Sequence, residues 1–232
     1  MKESFSLRPI AHIKSDFTTK FGIPRQSGMA SSLRCEIIFE PAFRDENALR
    51  GLEGYSHIWL IWGFSGFISE EEKPFSPMVK PPRLGGKKRM GVFATRSPNR
   101  PNPIGLSCVK LIGIEKRPNK GCVLIVSGAD LMDGIPIYDI KPYLPYADSI
   151  PDAKGGFAEE QLSYKLEVDF PEEWLVLIPK EKRAALIEAL SLDPRPSYLT
   201  DPSLPYGFEY AGFDIRFRVS DGKISVFEVL KL

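Results

Sequence analysis

Histidine is scarce in this chain: His12 and His57 are its only two in 232 residues. The three cysteines, Cys35, Cys108 and Cys122, are far apart and odd in number, and each sits in an apolar, strand-like context. That pattern suits reduced core thiols and excludes a disulfide framework; with so few histidines, no Cys/His spacing suits zinc. No metal is expected. Long hydrophobic runs are also missing. The longest, Ile58–Phe64 (IWLIWGF), has the length of a core strand and falls well short of a membrane span. The opening residues, MKESFSLRPIAHIKS, lack the apolar stretch of a secretory signal, so a cytoplasmic protein with no membrane partner is the expectation. No G-x-G-x-x-G follows a strand, and Leu84–Lys88 (LGGKK) lacks the phosphate-loop spacing. No G-x-S-x-G occurs either, which weakens the hydrolase reading. Net charge is only +1, so no global field advertises a nucleic-acid partner.

What is present concentrates in Gly91–Leu106 (GVFATRSPNRPNPIGL). Pro98, Pro101 and Pro103 deny this stretch a helix, because proline lacks an N–H and disfavours the helical region for the residue before it. They also make it a poor central strand. A proline-stiffened loop bearing Arg96, Arg100, Asn99 and Asn102 between two apolar runs holds its donors in place before a ligand arrives. Just upstream, Lys80–Arg89 (KPPRLGGKKR) carries five basic residues and no acid. A solvated loop and a phosphate-facing rim both fit that run. His57 stands at the mouth of the Ile58–Phe64 strand, where it can orient a ligand. Ala129–Tyr143 (ADLMDGIPIYDIKPY) gathers Asp130, Asp133 and Asp139 around a Gly-Ile-Pro turn, more acid than a turn needs.

The first two-thirds of the chain reads as strands. Leu33–Phe39, Tyr55–Phe64, Arg89–Ala94, Ser107–Glu115 and Gly121–Ser127 are short apolar or alternating runs separated by Gly, Pro and Asn. A short helix is expected around Asn47–Leu52. Several strands without crossover helices predict a mainly β fold, a closed antiparallel barrel, in preference to a doubly wound sheet. Pro151–Gly156 (PDAKGG) reads as a linker. Beyond it, Leu162–Phe170 alternates as a half-buried strand, and Lys180–Leu192 has helical spacing after Pro179. Phe213–Val219 and Lys223–Val229 flank an Asp221–Gly222 hairpin turn. The expected division is a barrel domain over 1–157 and a small α+β domain over 158–232, the latter packing on the barrel or touching a macromolecule.

Taken together, FGIPRQ, LEGYSHIWLIW, PPRLGGKKRMGVFATRSPNRPNPIGLS and DLMDGIPIYDIKPYLPYADSIPDA resemble, in order and spacing, the TsaA-like domain of the TrmO family of tRNA methyltransferases. The tail's Leu192–Tyr198 (LDPRPSY) and closing hairpin resemble the C-terminal domain of its long-form members. The resemblance implies a β-barrel enzyme that uses S-adenosylmethionine to methylate N6 of N6-threonylcarbamoyladenosine at tRNA position 37, beside the anticodon. It also implies a homodimer. Carried onto matching positions, it places the cofactor against Pro24, Arg25 and Gln26, His57 and Ile58, Arg96 and Leu106, and Asp133, Gly134, Ile135 and Pro136.

That chemistry suggests roles. Methyl transfer from a sulfonium needs collinear positioning of nucleophile, methyl and sulfur. Arg96 with Asn102 forms a polar clamp suited to the methionine carboxylate or a substrate phosphate. Asp139 leads the candidates for general base, followed by Tyr143 and then His57. Arg100 or Lys141 answers the threonyl carboxylate, and Arg83, Lys87, Lys88 and Arg89 face anticodon-arm phosphates. Two rival readings remain open at this level: a non-catalytic module that binds S-adenosylmethionine or a nucleotide, and a methyltransferase for small molecules.

Overall fold

The computed structural model describes residues 6–64, 75–81, 88–161, 164–195 and 201–232. Its strands are β1 (Ala11–Lys14), β2 (Arg34–Phe39), β3 (His57–Gly63), β4 (Met78–Val79), β5 (Met90–Gly91), β6 (Ile104–Arg117), β7 (Gly121–Ser127) and β8 (Pro136–Pro142), followed by β9 (Glu167–Asp169), β10 (Tyr206–Tyr210), β11 (Phe213–Ser220) and β12 (Lys223–Lys231). The helices are α1 (Pro145–Asp148), α2 (Glu172–Leu175) and α3 (Lys180–Ser191). Mainly β structure is therefore what the sequence builds.

Six strands run in the order β1-β2-β7-β6-β3-β8, each antiparallel to its neighbours. The last returns to the first through Ala11↔Ile137 and His12↔Pro136, so the sheet closes on itself. Closure leaves no unpaired edge, and period-2 alternation turns one face of every strand inward. Ile13, Ile37, Ile58, Leu60, Val109, Leu124, Val126 and Ile137 fill that interior and are essentially inaccessible. The outer face of β3 and β6 carries His57, Trp59, Ile61, Leu106, Cys108 and Lys110, in register as Trp59↔Cys108 and Ile61↔Leu106.

Several boundaries differ from the sequence reading. Arg89–Ala94 yields only a two-residue strand, because Val92–Ala94 coils into a 3-10 turn. The expected helix at Asn47–Leu52 is a pair of 3-10 turns, Glu46–Leu49 and Leu52–Gly54, parted by Gly51 in the left-handed region. Leu162–Phe170 contributes only β9, with Leu162 outside the described residues.

The second sheet runs β10-β11-β12-β9, with β9 parallel to β12 and the rest antiparallel. α3 begins at Lys180, directly after Pro179, and buries Ala185, Leu186, Ala189 and Leu190 along one stripe. The segment between β1 and β2 fastens this sheet to the closed one. Phe17 bridges to Tyr210, and their rings lie 5.0 Å apart between centroids. Lys182 meets Asp16 at 2.6 Å, and Ser32 donates its backbone N–H and hydroxyl to Glu188 at 2.9 and 2.6 Å. Gly22 has φ +98°, and a Cβ there would lie 2.6 Å from Phe208. The glycine of FGIPRQ thus permits both a left-handed turn and a close approach to the second sheet.

Candidate cofactor and substrate site

The FGIPRQ bend and the proline-rich loop meet. Arg96 Nη1 donates to Gln26 Oε1 at 2.7 Å, and Gln26 Nε2 donates to the Arg25 carbonyl at 2.6 Å. Arg25 itself is turned away from the loop. Its Nη2 donates to the carbonyls of Asp193 and Arg195, at 3.4 and 2.5 Å, tying the bend to the C-terminal sheet's approach segment. Pro24 is buried between these contacts. The loop holds its own shape: Arg100 donates to the Thr95 carbonyl at 3.3 Å, Ser97 N–H to Thr95 Oγ1, and Ile104 N–H to the Asn102 carbonyl at 2.7 Å. Gln26, and not Asn102, is the hydrogen-bond partner of Arg96. Asn102 is exposed on the same loop.

Behind Arg96 lies a polar chain that crosses the closed sheet. Trp62 Nε1 donates to Ser107 Oγ at 3.0 Å, and Ser107 Oγ donates to Asp130 Oδ1 at 2.6 Å. Burial pushes the Asp130 carboxyl above its ordinary value of 3.8, opposed by the Ser107 hydrogen bond, nearby backbone N–H groups and the Arg96 charge. Sequence reasoning names Asp130 as an acid near a turn but misses this chain. The signal for it is Ser107, a hydroxyl at an inward position of an apolar strand, only 1% exposed. A raised folded-state pKa means that folding favours the protonated form. The associated stability is fully present below the unfolded value and is lost as pH rises through the raised one. Relative to Asp130→Asn, the wild-type melting temperature is therefore expected to fall as pH is taken from acid toward neutrality. Parallel melting curves at all pH values would contradict it.

The remaining candidates fall into separate groups. Asp133 Oδ1 accepts the Ser15 N–H at 2.9 Å, and the Gly134 N–H, at φ +76°, donates to the Ile13 carbonyl. Ile135 and Pro136 are buried beside them. His57 shares a hydrogen bond with Ser56 and lies 6.2 Å, ring to ring, from Tyr143. Ile58 points into the interior with no exposed surface, so its side chain is closed to a ligand. Asp139 Oδ2 pairs with Lys141 at 3.0 Å, while Oδ1 accepts the Ile140 N–H. Leu106 is open on the outer face of β6. His57 opens β3 and Trp62–Gly63 closes it. Six residue steps put about 20 Å between His57 and the end that abuts the proline loop. Lys88 and Arg89 are exposed, whereas Arg83, Lys87 and the tail residues Pro196–Tyr198 lie outside the described residues.

A cleft of about 930 Å3 opens between the outer face of the closed sheet and α3, lined among others by Arg34, His57, Lys110, Ser127 and Lys182. Of the expected cofactor residues only His57 reaches it. Cys108 lies on its floor and Cys122 is only partly buried, so of the three expected core thiols Cys35 alone is fully enclosed. Among the described residues no group of three His, Cys, Asp or Glu side chains converges as a metal site, and no helix is long and apolar enough to cross a membrane.

Two family models match the chain in succession. Residues 12–149 match the tRNA-methyltransferase O N-terminal domain, and residues 163–232 match the TrmO C-terminal domain. The chain is similar to the tRNA (adenine(37)-N6)-methyltransferase of Escherichia coli, with 40% identity covering 97% of each chain. It is also similar to the putative S-adenosylmethionine-dependent methyltransferase RcsF of Pseudomonas aeruginosa, at 41% identity over 91% of each. The crystal structure of TrmO from P. aeruginosa superimposes with a TM-score of 0.80 at 33% identity, covering 100% of this chain and 99% of that one. With a closed six-stranded sheet, a C-terminal α+β sheet and both family models matched across nearly its whole length, the chain belongs to the TrmO family of tRNA methyltransferases.

Proposed function

We propose that this protein is an S-adenosylmethionine-dependent tRNA methyltransferase that methylates N6 of N6-threonylcarbamoyladenosine at position 37. The observation that carries the reading is the contact between Gln26 and Arg96, which joins two family motifs 70 residues apart into one polar corner. Relatives named as adenine(37)-N6 methyltransferases of tRNA support the substrate, and those named for S-adenosylmethionine support the cofactor.

The residues present suit such a cofactor. Arg96 spends one donor of its guanidinium on Gln26, and no other hydrogen bond of its fork is made among the described residues, which leaves a carboxylate-shaped donor set. Gln26, Arg96 and the Asp133–Pro136 turn would hold it, with Pro24 and Arg25 behind them, and His57, the main chain of Ile58 and Leu106 as the further contacts. When bound, S-adenosylmethionine supplies an electrophilic methyl group on a sulfonium. The chain's own work is positioning and proton handling. N6 of the ureido-bearing adenine loses a proton as it is methylated, and Asp139 is our first candidate to accept it, with Tyr143 next. Lys141 pairs with Asp139 Oδ2 at 3.0 Å and so fixes where that carboxylate stands. Asn102 orients the substrate beside Arg96. Arg100 or Lys141 meets the threonyl carboxylate, and Arg83, Lys87, Lys88 and Arg89 meet phosphates of the anticodon arm.

We read the closed sheet as the TsaA-like β-barrel, the chain as two domains (1–157 and 158–232), and the working form as a cytoplasmic homodimer. Two features support the dimer. Ile104 and Leu106 are 38% and 49% exposed on the outer face of β6, next to Ile61, an apolar strip a second copy would cover. The candidate groups are also spread along β3, so that two chains together would complete a site that one leaves divided. The test uses purified protein, methyl-labelled cofactor, and tRNA with or without threonylcarbamoyladenosine. Label is expected in the modified tRNA alone; cofactor binding without transfer would favour a regulatory module, and transfer to metabolites alone a small-molecule enzyme.

A further inference from the structure

The basic residues of β6 are treated unequally by the fold. Near its end, Lys116 pairs with Glu46 at 2.5 Å and Arg117 with Glu115 at 2.5 Å. Six positions earlier, Lys110 is exposed and has no acidic partner among the described residues. Register places it beside Ser127 on β7, and Ser127 in turn sits beside Arg34 on β2. Arg34 is likewise exposed and without an acidic partner among the described residues. His57 completes this row on β3, opposite Lys110. Arg34 and Lys110 are thus two strand spacings apart, about 9.5 Å at the backbone, with only a serine between them. Both side chains are long enough to reach over it.

This row forms the floor of the cleft whose far wall is α3. Two acids, Asp16 and Glu181, also line that cleft, and Lys182 already answers Asp16 at 2.6 Å. The balance on the floor is therefore positive, in a concave site whose walls concentrate the field. Leaving two neighbouring cations unanswered costs the folded protein their mutual repulsion. An anionic partner outside the chain relieves it.

We propose that Arg34 and Lys110 grip the sugar–phosphate backbone of the tRNA, seating it in the cleft between the closed sheet and α3. The proposal rests on the tRNA reading above and assigns that substrate further contacts, made by residues other than the basic run at Lys80–Arg89. Because the row ends at His57, a strand held here passes directly beside a candidate cofactor residue. Phosphate contacts of this kind set register and affinity without reading sequence.

The test measures tRNA binding by filter retention between 50 and 200 mM salt for three proteins, as a range wide enough to resolve the slope. They are the wild type, the double variant Arg34→Ala/Lys110→Ala, and a control that removes the same charge elsewhere, Lys116→Ala/Arg117→Ala. Melting temperature and cofactor affinity are measured alongside. The cleft variant is expected to lose about tenfold or more in affinity, and its log K against log salt slope to flatten by about two units. The control is expected to keep the wild-type slope within about half a unit. Equal losses in both double variants would show that only bulk charge matters, and an unchanged slope in the cleft variant would show no phosphate there; either result overturns the proposal. A wild type that binds no tRNA at all would instead bring down the tRNA reading itself.

Discussion

Arg96→Ala is expected to cut methyl transfer by about 100-fold, almost entirely through a higher KM for the cofactor. The side chain is exposed, so its loss leaves the core intact and the melting temperature close to wild type. What disappears is a charge-assisted contact worth about 1.5–3 kcal/mol, or roughly 10- to 150-fold, if it grips a carboxylate. Gln26→Ala provides the graded comparison. It keeps the guanidinium but removes the oxygen that aims it at 2.7 Å, so a smaller loss of about tenfold is expected. Arg96→Lys retains charge without the planar fork and should fall between the two. Initial rates over a range of cofactor concentrations separate KM from kcat. An Arg96→Ala enzyme with unchanged KM would place the carboxylate elsewhere.

The same corner shows where sequence reading succeeds and where it stops. The proline-rich loop is legible because three prolines and two arginines leave no regular structure available to it. β7 is legible to the residue, since Gly121–Ser127 is an apolar run bounded by glycine on both sides. β1 is not, because four residues with two polar positions carry too little period to stand out. β8 begins and ends on proline, so the same letters that form the strand read as a turn. Arg25 illustrates a deeper limit. Nothing local to FGIPRQ says that its guanidinium is committed to the Arg195 carbonyl, 170 residues away. Likewise Lys110 and Lys116 look alike in the sequence, and only the register reveals that one has an acid to answer it and the other faces a cleft. Strand pairing converts residue types into sites, and pairing is a long-range property.

Gly105→Ala is expected to destabilise the protein by about 3 kcal/mol or more, a fall of roughly 6–12 °C in melting temperature for a chain of this size. Gly105 lies opposite Trp62 in the β3–β6 ladder, and a Cβ built on it would lie 2.2 Å from the nearest indole carbon. That neighbour cannot give way as a flexible side-chain tip can. Its ring is 6% exposed, sits 4.3 Å from the Phe64 ring between centroids, and donates its N–H to Ser107. Moving the indole forfeits its packing and pulls its N–H off Ser107 Oγ, leaving a buried donor unsatisfied and loosening the hydroxyl that donates to the enclosed Asp130 carboxyl. The glycine of the PNPIG sequence is therefore a packing requirement on the closed sheet, and through Asp130 it also supports the position of Arg96. Gly113→Ala on the same strand is the control. A Cβ there meets nothing within 4 Å, so its melting temperature should stay within about 2 °C of wild type. If Gly105→Ala melts with the wild type, the indole is free to move aside and the polar chain behind the proline loop is not what holds that loop in place.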